Sequence, residues 1–251
     1  MKSFIINCKK KNFLNILGIC FIILIWFTLS HIYNNSLIVP KISEVFLSLF
    51  KLLKESRTYI LIFKLFVNII LTIAASFSIA VILAILSFKF EKFYHFISPL
   101  ITMLKSLPIV AIIILLIISV MNFAPYVATS FVIIPIIFEG VYSTLKQIDS
   151  SITDDIKTLS DINMNIIFKF YLPLIFPNIL TSLLQSFGLG LKVMVMTEYT
   201  SPKNNTFGAE IKRYYDNNDM AKVYAIVLIV IVLSFIVDKI LKVTREKANN
   251  N

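Results

Sequence analysis

Few side chains in this 251-residue chain are equipped for chemistry, and most of those stand alone in long apolar runs. Glu139, Lys192 and Glu198 are isolated charges in such runs, with Tyr142, Gln185 and Thr197 as polar neighbours. A charge held at the centre of a hydrocarbon layer costs about 2.5–3.5 kcal/mol, so each must face a cavity, a partner or an interface. Glu139 or Glu198 can pair with Lys192 along a translocation path; the alternative for Glu198 is a place close to the outer surface. Tyr142, Gln185 and Thr197 are polar enough to touch a solute and equally able to hydrogen-bond between helices. Lys64 and Lys105 lie near the ends of apolar runs, where long basic side chains snorkel to the interface. Hydrolytic, redox and metal chemistry find no support. The two cysteines, Cys8 and Cys20, make neither a disulfide framework nor a metal site. Gly18, Gly140, Gly188, Gly190 and Gly208 are the five glycines, and none is followed five residues later by Gly-Lys, so a Walker-type phosphate loop is impossible.

The elements that must position these residues are membrane helices. Hydrophobic residues make up 58% of the chain and charged ones 15%, with a mean hydropathy of +0.86; so few charges cannot cover a soluble domain of this length. A crossing helix needs about 20 mostly apolar residues. Charge-poor stretches at 13–40, 65–88, 93–145, 170–191 (continuing to 197) and 223–237 supply about six crossings, because 93–145 is too long for one helix and Asn122-Phe123-Ala124-Pro125 breaks it. An all-α polytopic membrane protein follows. With the N-terminus inside, Lys2, Lys9, Lys10, Lys11, Lys89, Lys92, Lys146, Lys157, Lys169, Lys239, Lys242, Arg245 and Lys247 fall on the cytoplasmic side and outweigh the basic residues opposite, which places both termini in the cytoplasm. The net charge of +10 reads as this orientation bias and not as nucleic-acid binding. The internal inverted repeat of many secondary transporters is missing. Ser76, Ala80 and Ala84, spaced by four, offer a close-packing helix face in a glycine-poor chain.

Two polar stretches between the spans carry information. Between 39 and 59, Ile42, Val45, Phe46, Leu49, Leu52 and Leu53 recur at helical spacing against Lys41, Glu44, Lys51 and Lys54, which predicts an amphipathic helix over 41–56 along the outer interface. Between 147 and 171, Asp149, Ser150, Ser151 and Thr153 supply helix-start chemistry, and Asp154 with Asp155 suits a first turn. Thr158-Leu159-Ser160-Asp161 offers a bend before a second short helix running to Leu172-Pro173. Ile156, Leu159, Ile162, Met164 and Ile166 then form either a docking surface for a soluble partner or a cap packed over the span ends.

The segment from 154 to 177 resembles the cytoplasmic "EAA" loop of bacterial ABC importer permeases, roughly E-A-A-x-x-x-G-A-S, an apolar helix, then L-P-x-x-x-P. Asp154 stands at the Glu position, Thr158-Leu159 matches a common T-L, Ser160 replaces the Gly, and Leu172-Pro173 with Pro177 matches the ending. Asp155 and Ile156 replace the small Ala pair. Ile179-Leu180-Thr181, Gly188-Leu189, Glu198 and Phe207-Gly208 fall where the nitrate/taurine/sulfonate-like permeases carry similar residues. So do Trp26, Pro40 to Val45, Leu104-Lys105-Ser106-Leu107-Pro108 with Ala111, Pro135 and Asp238, so the resemblance covers nearly the whole chain.

The resemblance implies a type I ABC importer permease fold: a single permease domain over 1–251, with span one at 13–33, the outer helix at 41–56 and a five-helix core at 59–243. A cytoplasmic coupling helix would lie in the loop 150–172, between spans four and five, with Asp154, Asp155, Thr158, Leu159, Ser160, Asp161, Ile162, Leu172 and Pro173 contacting the ATPase. Glu139, Tyr142, Gln185, Lys192 and Glu198 are the candidates for the translocation path. The chain itself would be no enzyme and hold no cofactor; ATP would be bound by a partner. Implied partners are a second permease copy in a homodimer, two ATP-binding cassette subunits and an extracytoplasmic substrate-binding protein, in the bacterial inner membrane. The solute would be a sulfonate, nitrate, a thiamine precursor or similar. Pro108, Pro135, Pro173 and Pro177 would mark kinks or gating points. The alternative is an ion-gradient-driven secondary transporter or channel, which has no need of an apolar cytoplasmic projection.

Overall fold

The computed structural model describes residues 2–148, 172–201 and 204–249. Among them the chain is all-α, as its composition requires, with helices joined by short connections and one 3₁₀ turn. Four stretches are long and apolar enough to cross a membrane, Ser56–Lys89, Ile109–Lys146, Ile175–Thr200 and Met220–Thr244, and a shorter apolar helix covers Leu17–Tyr33. Asp154, Asp155, Thr158, Leu159, Ser160, Asp161 and Ile162 lie outside the described residues, while Leu172 and Pro173 open a helix. Two compact units are distinguished: Met1–Tyr59 with Ile211–Ile229, and Ile60–Glu210 with Val230–Asn251.

In the first unit, α1 (Lys2–Tyr33) ends where Asn34 takes φ 41°, a left-handed conformation that Asn tolerates better than most residues. Trp26 of α1 donates its indole N–H to the Pro40 carbonyl at 3.2 Å and lies 5.7 Å from the Tyr224 ring. Next comes α2 (Ile42–Lys54), whose start is closed by the Glu44 carboxylate accepting the Lys41 N–H at 3.3 Å. It buries Val45, Ser48 and Leu52, three and four residues apart, and leaves Phe46, Leu47 and Phe50 exposed. Its apolar residues therefore occupy more of the helix circumference than one buried stripe.

The second unit holds most of α3 (Ser56–Lys89), α4 (Glu91–Ser106), α5 (Ile109–Val120), α6 (Ala124–Lys146) and α7 (Leu172–Thr200), with the start of α8 (Phe207–Asp216) and the later part of α9 (Met220–Asn249). Ser76, Ala80 and Ala84 of α3 are fully buried, and the Ser76 hydroxyl donates to Ser130 at 3.0 Å. The 93–145 stretch divides into three helices where two were expected. The break at 121–123 is present, with Met121 at φ 43°, and a second one falls at Leu107-Pro108. The proline ring clashes with a helical residue before it, so Leu107 is extended at φ −69°, ψ 133°. Ile113 and Ala128 share one buried cluster with Val193, although a continuous helix would hold residues that far apart in sequence about 22 Å from each other. The turn at 121–123 therefore folds α5 back onto α6.

Helices α6 and α7 run antiparallel at close range. A Cβ on Gly140 would lie 1.8 Å from the Ser182 hydroxyl, and one on Gly190 would lie 2.7 Å from the Ile133 side chain. Moving from 133 to 140 on α6 thus corresponds to moving from 190 back to 182 on α7, about 11 Å along each axis in opposite senses. Around this pair Ala80, Ala84, Ile101, Ile137, Phe138, Val141, Leu145, Ile175 and Ile179 belong to one buried cluster. At the far end of α7, a Cβ on Gly208 would meet the Tyr199 nitrogen and the Val195 carbonyl, each at 2.4 Å. Gly208→Ala is expected to destabilise the protein by about 1–3 kcal/mol, because backbone cannot step aside. Gly140→Ala should cost less but not nothing, since the Ser182 hydroxyl can rotate away while its Cβ, 2.9 Å from the added methyl, cannot, and Ser182→Ala should recover only the hydroxyl's part of that loss. Thermal unfolding in detergent reads both; a Gly208→Ala midpoint equal to wild type would refute the packing described.

Candidate functional site

Ile136, Glu139, Gly140 and Ser143 recur at three- and four-residue steps, so they share one face of α6, and Ser182 with Gln185 does the same on α7. Where these faces meet, with Tyr142 beside them, lies an open hollow of about 380 Å³. The missing Cβ of Gly140 lets Ser182 approach and closes one wall. Glu139, Tyr142, Ser143, Ser182 and Gln185 bring polar side-chain groups to a hollow whose exposed surface is otherwise largely apolar.

The strongest electrostatic feature is at Glu139. Lys105, near the end of α4, donates its ammonium to both carboxylate oxygens of Glu139 at 2.6 and 2.7 Å. Charge-assisted bonds of that length are about twice as strong as neutral ones. The pair is not packed away, because both side chains remain about half exposed, at 49% and 50%. Beside it Tyr142, 9% exposed, stacks on Tyr94 with centroids 4.5 Å apart and on Phe138 at 5.7 Å. The Lys146 ammonium sits 5.5 Å from the Tyr142 ring and 5.7 Å from the Tyr94 ring, a cation–π arrangement that holds the stack at the end of α6.

Of the five residues expected along a path, the structure brings Glu139, Tyr142 and Gln185 around one hollow and leaves Lys192 and Glu198 elsewhere. Glu139 pairs with Lys105 and not with Lys192, and Lys105 is held by that pair instead of snorkelling alone. Among the described residues no ion pair joins Lys192 to either carboxylate. The reason is angular. Six residues advance about 600° around a helix, which leaves Lys192 and Glu198 about 120° apart on α7. Lys192 is accordingly exposed, while Glu198 is 2% exposed and its carboxylate accepts the Gly208 N–H at 3.1 Å. Glu198 thereby ties the start of α8 to α7. Thr197 is fully buried and returns its hydroxyl to the Val193 carbonyl at 2.7 Å, within its own helix.

Sequence reasoning missed the Lys105 partner and the contributions of Gly140, Ser143 and Ser182. For the last three a signal existed: small and polar residues repeat at helical spacing beside Glu139 and Gln185. For Lys105 none did, because 34 positions and two helix breaks separate it from Glu139. Among the described residues no group of His, Cys, Asp and Glu could hold a metal ion. The arrangement suits the holding of a polar solute by charge and hydrogen bonds, with no nucleophile placed against a base.

Comparison with known proteins agrees with this picture. A profile of the family described as binding-protein-dependent transport system inner membrane component matches residues 76–247. Among solved structures, a chain of the MetNI methionine ABC transporter, in an inward-facing conformation, superposes with a TM-score of 0.67 over 75% of this chain and 94% of that one. The two are 14% identical, so the likeness is one of fold. No curated protein sequence is significantly similar.

Removing either charge of the Lys105–Glu139 pair strands the other. Lys105→Met and Glu139→Gln are each expected to cost about 1–3 kcal/mol, between the values for exposed and buried pairs. The double variant should lose less than the two single losses combined. Unfolding in lipid nanodiscs measures the cycle, and strictly additive losses would mean that the contact contributes nothing.

Proposed function

The chain belongs to the inner-membrane components of binding-protein-dependent transport systems, the ABC importer permeases, and from that premise we propose that it conducts a small polar solute inward at the expense of ATP hydrolysed by a separate subunit. The observation that carries this reading is the extent of the family match. It runs from 76 to 247 and so takes in both the helices around the hollow and the 154–173 segment that resembles a coupling loop. In the proposed assembly two permease copies pair, two ATP-binding cassette subunits dock on the cytoplasmic side against the segment 154–168, and an extracytoplasmic binding protein delivers the solute. Both termini face the cytoplasm.

The geometry supports a lever. The segment 149–171 is the link between α6 and α7, the two helices that flank the hollow and are locked together at Gly140–Ser182 and Gly190–Ile133. A push on that link as the nucleotide-binding subunits close would move the pair as one body, because packed interfaces shift between discrete arrangements and do not deform smoothly. Hydrolysis would release it. ATP binding thus biases a two-state equilibrium through the differential contact of its subunit with the link.

Vesicles containing the chain, its ATPase subunit and its binding protein are expected to take up solute only with ATP inside. Leu159→Asp with Ile162→Asp should abolish ATPase capture and reduce uptake at least about tenfold. Uptake that persists without the ATPase subunit would mean an ion-gradient carrier or channel and would sink the proposal.

A further inference from the structure

The hollow between α6 and α7 has a feature that bears on what it takes: its only charges among the lining side chains and their direct ion-pair partners belong to a matched pair. Glu139 lines it and Lys105 is bound to Glu139 through both oxygens. Each side chain is half exposed, so the pair is open to exchange with an entering molecule. We propose that Lys105 and Glu139 form a binding site for a zwitterionic solute, one that carries a cationic and an anionic group on a short skeleton. The inference rests on the reading of the chain as a transport subunit and names the class of its substrate.

The argument is one of charge balance in an apolar segment. An anion that took Lys105 would leave the Glu139 carboxylate unpaired, and a cation that took Glu139 would leave the Lys105 ammonium unpaired. Either loss strands a charge in an apolar segment, at a cost between those of exposed and buried pairs because each side chain is half exposed. Other charges are badly placed to compensate. Lys146 is engaged over the Tyr94 and Tyr142 rings, and Lys192 lies two turns along α7 from Gln185, about 10 Å. A neutral solute gains nothing from opening the pair. A zwitterion alone replaces each contact with its equal, its anion on Lys105 and its cation on Glu139, and leaves the net charge of the site at zero. Ser143 and Gln185 add neutral hydrogen-bonding capacity beside the pair, and about 380 Å³ lies at the small end of ligand pockets.

The test uses the chain alone in lipid nanodiscs, without nucleotide, and three probes of one skeleton: 3-aminopropane-1-sulfonate, propane-1-sulfonate and propylammonium. Binding is read by saturation-transfer NMR and equilibrium dialysis. The zwitterion is expected to bind at least about tenfold tighter than either singly charged probe. Glu139→Gln should invert the order in favour of propane-1-sulfonate, and Lys105→Gln in favour of propylammonium. A purely structural pair would not produce opposite inversions. Wild-type protein that binds no probe, or binds a singly charged probe as tightly as the zwitterion, overturns the inference whether or not the variants fold; so do variants that keep the wild-type order. Because no ATP is involved, this outcome is independent of the vesicle experiment: ATP-driven uptake with no zwitterion preference removes only the site, and zwitterion binding with ATP-independent uptake removes only the transport reading.

Discussion

Close approach of α6 and α7 is the constraint on which the second unit depends. Between helices in hydrocarbon the hydrophobic effect offers little, since lipid tails are as apolar as leucine, and association relies on dispersion and short polar contacts. Both weaken steeply with distance. Gly140 and Gly190 remove the atoms that would hold the two helices apart, and Ser182 and Ile133 fill the space so gained. On α3, Ser76, Ala80 and Ala84 serve the same end with small side chains, which is how a chain with five glycines reaches dense packing.

That closeness also shapes the hollow. If α6 and α7 stood farther apart, Glu139, Tyr142, Ser143 and Gln185 would line no common space. The Lys105–Glu139 pair solves the other problem of the site, the cost of charge in an apolar segment, by joining α4 to α6 across the break at Leu107-Pro108. Because the break lets α4 and α5 take different directions, Lys105 can reach a carboxylate that a straight helix through 91–120 would have to approach differently. Local backbone chemistry and a distant electrostatic contact are thus coupled through one proline.

The two units divide the remaining work. Trp26, Pro40 and Tyr224 join α1, the start of α2 and the first turns of α9 in the first unit. Glu198 and Gly208 close the α7–α8 connection in the second. Both use a side chain to satisfy or cover backbone at a point where a helix ends, as buried or lipid-facing backbone groups require.

Much of this was legible in the residues themselves. Composition dictated an all-α membrane protein, the Asn122 to Pro125 stretch announced a turn, and the EAA-like segment with its L-P-x-x-x-P ending pointed to the ABC importer permeases. Glu139, Tyr142 and Gln185 stood out because a polar side chain in an apolar run must be met by something. What it meets is a tertiary matter. The partner of Glu139 is Lys105 and not Lys192, and Glu198 turns inward to a backbone N–H, because ion pairing falls off over a few ångströms while sequence spacing fixes only the angle of a residue on its own helix. The sequence determined which residues need partners; the antiparallel packing of α6 on α7 and the fold-back of α5 decided who the partners are, since only three-dimensional proximity brings together charges from separate helices.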